Sequence, residues 1–434
     1  MSETKSSVLA AVGIVLSVGA VYTGLQARQK ADLGSLQTSN SDVSTSRMLA
    51  SRSNDVNVPA SDYFYELTQK LKEQYVEPVT DDQKLASGAI RGMVASLADP
   101  DSSYMDKNQF RAFLAARTGK YEGIGADFVL SLNGRRMGSK ATGAEGASDL
   151  TPDDALVTVQ EIPKVKVVCV VPGGPADRAG VQVGDVVDSV DGHWVVNSDV
   201  IRKFKIASKL FTNKKLSRAQ LEIMRSEIRT KFEKAIFPGK AREKLFMGAS
   251  GVVNVVWNRN GTLKKTVIAR APSSLPGLTE VNGVIELPLV QSSADFLKNA
   301  IKDKAFVTID LRNNTLGDVQ SMKNCLEVIA PKGHYGYFVT QRHDTPTPLT
   351  VTNGNAHPPK IKLLTDQSTR GMAEAFAEAL SSRGLATLSS GSMGGDTSSR
   401  QIIQLPDGSG YTLVTSAYQP KAGTSVVTKR VGAR

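Results

Sequence analysis

The stretch VVPGGPADRAGVQVGDVVDSVDG, from Val170 to Gly192, decides the fold of the central part of this sequence. In it, β-branched runs alternate with turn residues. Gly174-Pro175-Ala176 can open a short helix, Ala179-Gly180 can close it, and Gly184-Asp185 leads into the next run. Similar runs are VVCVV at residues 167–171, VVNVVW at residues 252–257 and KKTVIA at residues 264–269. Residues from about 118 to 272 are therefore predicted to form a mostly β domain.

The spacing of apolar residues predicts helices before this domain and alternating strands and helices after it. Before it, Asp62 to Glu73 and Asp81 to Leu97 have apolar residues at helical spacing, and each segment opens on a residue suited to cap a helix. After it, strands such as FVTIDL at residues 306–311 alternate with helices, as in an α/β unit. We predict an α+β, multidomain chain with a helical region at 61–117, the β domain at 118–272 and an α/β core at 273–434.

Residues 1–30 contain an uncharged apolar stretch from Val8 to Leu25, which predicts a membrane anchor. Val18-Gly19-Ala20 also suits a cleavage site, so a removed signal peptide is the alternative. Residues 31–60 are rich in Ser, Asn, Asp and Thr and predict a flexible linker. With two cysteines and no H-x-x-x-H spacing, neither a disulfide framework nor a zinc hydrolase is expected, and the sequence predicts no metal and no cofactor.

A strongly basic segment, residues 202–247, interrupts the β domain. It has 14 Lys and Arg against 4 Glu, an excess of +10, whereas the whole chain has a net charge of +11. Ser217 can cap a helix there, with Gln220 reaching back to form a capping box. The apolar residues on one side of that predicted helix are Leu221, Met224, Ile228, Phe232 and Ala235.

Three interpretations of this basic segment remain open. It is a solvated helix without a ligand, a contact with an anionic membrane surface, or a contact with an acidic protein. Nucleic acid is not expected, because the apolar stretch at residues 8–25 predicts a location in the cell envelope. In either contact, Arg229, Lys231 and Lys234 are the predicted electrostatic residues.

The stretch from Val170 to Gly192 resembles the PDZ domains of bacterial proteases. Upstream, Gly123-Ile124-Gly125-Ala126 follows GKYE and resembles the glycine loop of PDZ domains. Such a loop can point successive backbone N–H groups at a carboxylate, because glycine allows positive φ and a close backbone approach. The resemblance implies that Gly123, Ile124, Gly125 and Ala126 bind the carboxylate of a peptide that adds as a strand.

Further motifs occur in the order seen in the carboxyl-terminal processing proteases, also called tail-specific proteases. They are LADPDSSYMD at 97–106, GKYEGIG at 119–125, DLRNN at 310–314 and LPDGSGYTLVTSAYQPKAG at 405–423. This resemblance covers residues 61 to 423 and implies a PDZ domain inserted between a helical region and an α/β core. It also implies cleavage of proteins near their C-termini by a Ser/Lys pair, on the periplasmic or lumenal side of a bacterial-type membrane.

The sequence departs from this family at the positions of the Ser/Lys pair. TDQSTRGMAE, residues 365–374, places Gly371 where the serine is expected, and SMGGD, residues 392–396, places Gly395 where the lysine is expected. From Gly371 through Pro420 there is neither a lysine nor a histidine. The other residues of the predicted site are Ser368, Met372, Gly317 and Ser399.

We therefore predict a membrane-anchored pseudoprotease that serves as a binding, scaffold or assembly subunit. Its predicted partners are protein C-termini or a membrane protein complex, in a homo- or hetero-oligomer. The alternative is an active C-terminal processing serine endopeptidase with an unorthodox site, in which Ser368, Thr369 or Ser392 supplies the hydroxyl.

Overall fold

The structure is a computed structural model in which residues 60–97, 99, 101–131, 162–248, 250–315, 317–340 and 345–421 are described. The predicted membrane segment Val8 to Leu25 lies outside these residues, as does nearly all of the predicted linker. Within the described ranges, no helix is both long enough and apolar enough to cross a membrane. The chain divides into two compact units, residues 1–80 and residues 81–434.

The described part of the first unit contains the helix α1, Ala60–Gln74. Asp62 lies in its first turn and Lys72 in its last turn, which is the arrangement that complements the helix dipole. This helix confirms the one predicted over Asp62 to Glu73.

The second unit begins with two helices and a short strand. Their bounds are Asp82–Ser96 for α2, Tyr104–Met105 for β1 and Lys107–Arg117 for α3. Asp81 caps α2 by accepting the amides of Gln83 and Lys84, and Asp106 caps α3 in a capping box with Gln109. The helix predicted over Asp81 to Leu97 is therefore confirmed, with its cap at the predicted residue.

Seven strands form the sheet of the β domain, in the order β3-β4-β5-β6-β7, with β8 paired to both β5 and β9. Their bounds are Ala126–Ser131 (β3), Lys164–Val170 (β4), Val186–Val190 (β5), His193–Val195 (β6), Ala235–Ile236 (β7), Val252–Arg259 (β8) and Thr262–Ala269 (β9). The short helix α4, Pro175–Arg178, follows Gly174 as predicted. A pair of two-residue strands, β2 (Lys120–Tyr121) and β10 (Ser273–Ser274), ties the two ends of the domain together.

The basic segment consists of two structurally different parts. Two helices, α5 (Ser198–Thr212) and α6 (Arg218–Glu233), pack on each other, and residues 213–217 connect them. We call residues 198–233 the basic hairpin. The predicted capping box of Ser217 and Gln220 opens α6. A third helix, α7 (Pro238–Phe246), instead packs on β3, β4 and β5 and belongs to the core of the β domain, because two of its side chains, Ala241 and Leu245, are fully buried there.

The core from residue 273 onward is built on a five-stranded sheet in the order β11-β12-β13-β16-β17. The strands are Thr279–Val281 (β11), Val284–Glu286 (β12), Phe306–Asp310 (β13), Lys360–Leu364 (β16) and Ala386–Leu388 (β17). Within this sheet β12, β13, β16 and β17 pair in parallel. Asp310 lies opposite Leu364 in this register, so the loops that follow β13 and β16 leave the same edge of the sheet side by side.

Three helices and a second sheet complete the core. The helices are α8 (Ser293–Ala300), α9 (Val319–Ile329) and α10 (Met372–Ser381). The second sheet contains β1 together with β14 (Gly333–Val339), β15 (Thr347–Val351), β18 (Ser398–Gln404) and β19 (Gly410–Gln419). The predicted architecture of a helical region, a PDZ-type β domain and an α/β core is therefore confirmed.

Candidate functional site

The first turn of α10 is the position at which the sequence predicts the lost nucleophile. Gly371 precedes the helix with φ +60° and ψ −130°, and its N–H donates to the carbonyl oxygen of Asp396 at 2.6 Å. A Cβ at this position would lie 3.4 Å from the carbonyl oxygen of Thr315, which is an ordinary contact distance. The site therefore has room for a small side chain at residue 371, but the sequence provides none.

The segment at residues 394–396 lies directly against this helix start. The N–H groups of Gly395 and Asp396 donate to the two carboxylate oxygens of Glu374 at 3.0 and 2.9 Å. Burial raises the pKa of Glu374 to about 7. The structure thus brings Gly371 and Gly395 together, and the Glu374 side chain holds the turn that contains Gly395.

The two hydroxyls nearest to Gly371 in sequence are already engaged elsewhere. Ser368 is fully buried, donates to the carboxylate of Asp366 and accepts the N–H of Asn313 at 2.6 Å. Thr369 is also fully buried and donates to the carbonyl oxygen of Leu311 at 3.1 Å. Ser392 is exposed, and its N–H donates to the Ser390 hydroxyl at 3.2 Å. Neither buried hydroxyl is therefore available as a nucleophile in this arrangement.

Of the remaining predicted residues, Gly317 and Met372 lie at the site and Ser399 does not. Gly317 lies between Leu289 and Met372, because a Cβ at Gly317 would be 2.8 Å from the Cβ of Leu289 and 3.3 Å from that of Met372. Met372 is fully buried as the first residue of α10. Ser399 lies on β18, where its carbonyl oxygen accepts the Thr415 hydroxyl at 3.5 Å. Only Gly317 and Met372 are therefore directly at the helix start.

An ionic network centred on the buried Asp396 lies beside the site, and the sequence analysis did not predict it. Arg400 pairs with Asp396 and, at 2.9 Å, with Asp101. Arg370 donates to the carbonyl oxygen of Gly394 at 2.7 Å and approaches Asp396 at 3.4 Å. Although burial lowers it, the pKa of Arg400 is raised overall by the two carboxylates. No sequence signal could have joined Asp101 to Arg400, because the two residues lie in distant motifs.

Two clefts adjoin the site. The first, of about 490 Å³, lies at the carboxyl ends of β12 and β13, and its lining includes Arg312 and Gly317. The second, of about 600 Å³, runs between β3 and α7, and Arg370 and Arg400 line its inner end. Thr315 lines both clefts, and its hydroxyl donates to Asp127 of β3 at 3.3 Å.

The glycine loop predicted to bind a carboxylate has the predicted backbone conformation but is covered. Gly123 and Gly125 have φ values of +74° and +71°. All four residues, Gly123, Ile124, Gly125 and Ala126, are buried. A Cβ at Gly123 would lie 2.6 Å from the carbonyl oxygen of Leu245 at the end of α7. The loop therefore lies against the last turn of α7 and is not part of the lining of the second cleft.

The three basic residues predicted as contacts lie at the end of α6 that is far from the connecting turn. Arg229 is 3.7 Å from Glu233, and the ammonium of Lys231 lies 5.7 Å from the ring centre of Trp194. Lys234 is exposed just after the helix. These residues are thus separate from the candidate site.

Three family models match the chain in the order of its structural regions. The model described as the activating protease CtpB N-terminal domain matches residues 14–109, the PDZ domain model matches residues 166–201, and the peptidase family S41 model matches residues 283–433.

Curated relatives point to the same family. The carboxy-terminal processing protease CtpB of Bacillus subtilis is 24% identical over 355 residues, which cover 80% of this chain and 61% of that protein. CtpA of the same organism is 29% identical over 160 residues, which cover 37% of this chain and 27% of that protein. This chain therefore spans less than two thirds of the length of either relative.

Among solved structures, a photosystem II D1 C-terminal processing protease matches at 17% identity, with 82% of each chain covered and a TM-score of 0.49. The family models, the curated relatives and the order of the motifs agree, and the chain belongs to peptidase family S41, the family of the carboxy-terminal processing proteases.

Proposed function

We propose that this chain is a catalytically inactive member of its family that binds the C-terminal segments of partner proteins and serves as a scaffold or assembly subunit. The observation that supports this most strongly is the start of α10, where Gly371 occupies the predicted position of the nucleophile and has no side chain. Serine-type hydrolysis needs a hydroxyl that a neighbouring base can deprotonate, together with donors for the oxyanion.

The second missing component is the base. The sequence from Gly371 to Pro420 has no lysine or histidine, and its arginines remain protonated. Outside that segment, Lys166 on β4 is a candidate base. Burial and then the positive charge of Arg370 lower its pKa. A lysine with a lowered pKa can serve as a base, but only for a hydroxyl that faces it. Ser368 and Thr369 donate elsewhere, so we expect no productive pair.

The binding role rests on β3 and α7. In the described part of the chain, β3 pairs with β4 alone, so one edge of β3 faces the second cleft. An extended peptide can add to such an edge, and pockets along it then select side chains. Val129 and Leu130 of β3, together with Phe246 of α7, make this cleft partly apolar, and Arg242 adds a cation. We propose that a peptide lies there with its C-terminus toward Gly123.

We also propose that residues 8–25 hold the chain at a membrane, with the folded part on the periplasmic or lumenal side. This proposal rests on the uncharged apolar stretch in the sequence. Such an anchor would bring the cleft between β3 and α7 close to membrane proteins. We propose that the C-termini of these proteins are bound in the cleft and are not cleaved.

Incubation of the full chain with a permanently unfolded protein, such as β-casein, tests the loss of peptidase activity. Fragments are identified by mass spectrometry for the wild type, Ser392→Ala, Lys166→Ala and a mock preparation. We expect no fragments beyond those of the mock preparation. Cleavage by the wild type that Ser392→Ala or Lys166→Ala abolishes would establish an unorthodox active site, and cleavage that persists in both variants would equally contradict the proposal.

A further inference from the structure

The basic hairpin has an unusually uniform charge near its connecting turn. Between Asp199 and Glu222 the sequence contains seven basic residues and no acidic residue. The seven residues are Arg202, Lys203, Lys205, Lys209, Lys214, Lys215 and Arg218. The acidic residues of the hairpin lie outside this interval: Asp199 pairs with Lys164 at 2.5 Å, and Glu222 pairs with Arg225 at 2.8 Å.

The apolar side of α6 contacts the protein itself. Leu221 is buried, and the Phe232 ring packs edge-on against Trp194 with 5.4 Å between ring centres. The apolar side of α6 that the sequence predicts therefore covers the β domain and does not face a membrane. What the hairpin presents outward is its charge and a few apolar side chains near the turn.

We call residues 211–218 together with Ile223 the hairpin tip. Phe211 is 38% exposed and Ile223 is 58% exposed, so two apolar side chains face solvent there. Lys214, Lys215 and Arg218 are exposed beside them and have no acidic partner among the described residues. Exposed apolar side chains surrounded by unpaired cations are the composition of a surface that binds an anionic interface.

The shape of the tip favours a lipid surface over a structured acidic protein. The tip is the end of a two-helix hairpin, and none of its residues lines either of the two clefts. Exposed lysines next to an aromatic ring suit many headgroup phosphates and a shallow apolar layer, whereas a folded partner requires a complementary surface. The apolar stretch at residues 8–25 predicts that a membrane is within reach of the same chain.

We propose that the hairpin tip docks on an anionic lipid surface, with Lys214, Lys215 and Arg218 at the headgroup phosphates and Phe211 in the interfacial layer. Docking would hold the β domain, and with it the cleft between β3 and α7, at a fixed height above the membrane. This role goes beyond the proposed binding of C-termini and does not require it.

An environment-sensitive dye at the tip tests the proposal in the full chain. The two native cysteines, Cys169 and Cys325, are fully buried, so Asn213→Cys offers a single exposed attachment site beside Phe211. The labelled chain is incorporated into phosphatidylcholine vesicles with and without 30% phosphatidylglycerol (about one lipid in three). Dye emission reports docking whether or not residues 8–25 anchor the chain.

We expect a blue shift of the dye with phosphatidylglycerol only, and its loss at high salt. Because charge reversal replaces attraction to the headgroups by repulsion at three positions, the triple variant Lys214→Glu, Lys215→Glu, Arg218→Glu should reduce the docked fraction at least about tenfold. A control with the same change in net charge, Lys264→Glu, Lys265→Glu, Lys302→Glu, alters exposed residues elsewhere and should dock like the wild type.

Phe211→Ser should weaken docking without removing its salt dependence. Circular dichroism confirms that each variant is folded. An equal blue shift in both vesicle types, an equal loss of docking in the two triple variants, or unchanged docking in the tip variant would each overturn the proposal. Capture of an acidic protein without any response to phosphatidylglycerol would overturn it as well.

Discussion

Thr315 donates its hydroxyl hydrogen to Asp127 at 3.3 Å, and its carbonyl oxygen faces the empty side-chain position of residue 371. One residue of the core therefore contacts both the first strand of the β domain and the start of α10. Asp127 is partly buried, and desolvation raises the pKa of its carboxyl. The bond is thus a direct link between β3, which lines the second cleft, and the candidate site.

Thr315→Val removes this link while preserving the shape of the side chain. Because this change removes one of the hydrogen bonds that the partly buried Asp127 carboxylate accepts, we expect a loss of about 1–2 kcal/mol in the free energy of unfolding. Thr230→Val is the control, since the Thr230 hydroxyl lies on the exposed face of α6 and bonds to Ser226 of the same helix. Urea denaturation of both variants measures the difference, and equal losses would show that the link is not stabilising.

Arg400→Gln should be one of the most destabilising single changes in the core. It leaves the buried Asp396 and the partly buried Asp101 without their shared cation, which costs about 3–5 kcal/mol. Arg225→Gln removes an ion pair whose two side chains are about half exposed, and such pairs contribute at most about 1 kcal/mol. Unfolding followed by circular dichroism checks this ranking. A smaller loss for Arg400→Gln than for Arg225→Gln would contradict the assigned role of the network.

Gly123→Ala tests the close contact between the glycine loop and α7. Both Gly123 and Gly173 have positive φ, so alanine costs about 1–2 kcal/mol of backbone strain at either position. A Cβ at Gly173 meets nothing within 4 Å, whereas one at Gly123 meets the backbone of Leu245. We expect Gly123→Ala to cost at least about 1 kcal/mol more than Gly173→Ala.

The fluorescence of Trp194 and Trp257, the two tryptophans of the chain, follows unfolding of the β domain in both variants. Equal losses for the two alanines would show that the loop is not held against α7 in solution.

Glu374 should make the core less stable as the pH rises. Its pKa of about 7 in the folded chain is above its ordinary value, so the folded state binds this proton more tightly than the unfolded state. The stability contributed by Glu374 is therefore complete at low pH and declines between about pH 4.5 and pH 7, by on the order of 3 kcal/mol in total. The difference in stability between the wild type and Glu374→Gln should follow this decline.

Glu327→Gln is the matched control for that pH dependence. Against the effect of burial, the N–H groups of Thr352, Gly354 and Asn353 lower the pKa of Glu327 to about 2. Its contribution is lost only as the pH falls toward 2 and is constant above about pH 5. Two results would contradict these assignments. One is a stability difference between the wild type and Glu327→Gln that declines between pH 5 and pH 8. The other is a stability difference between the wild type and Glu374→Gln that does not decline as the pH rises to 7.

The sequence predicts those features that depend on residues close together in the chain. The turn residues between Val170 and Gly192, the cap at Asp81 and the capping box at Ser217 each follow from local geometry, and all are present in the structure. The type of the elements that these residues begin and end, helices or strands, distinguishes the helical region, the β domain and the α/β core along the chain.

Features that depend on long-range packing could not be predicted in this way. An amphipathic helix has the same pattern whether its apolar side faces lipid or protein, so the packing of Phe232 on Trp194 was not foreseeable. For the same reason, the sequence did not distinguish α7 from the basic hairpin. Both are basic, but one side of α7 lies in the core of the β domain. The pairing of Arg400 with Asp101 requires the fold itself.

Recovery of a bound peptide tests the central claim, which is that this chain binds C-termini and does not cut them. The full chain is equilibrated with a nonpolar C-terminal peptide as the free acid or as the amide, and the bound peptide is then eluted and its mass determined. We predict that the acid binds several-fold more tightly than the amide and is recovered at its full length. Equal binding of acid and amide, or recovery of a shortened peptide, would contradict the account.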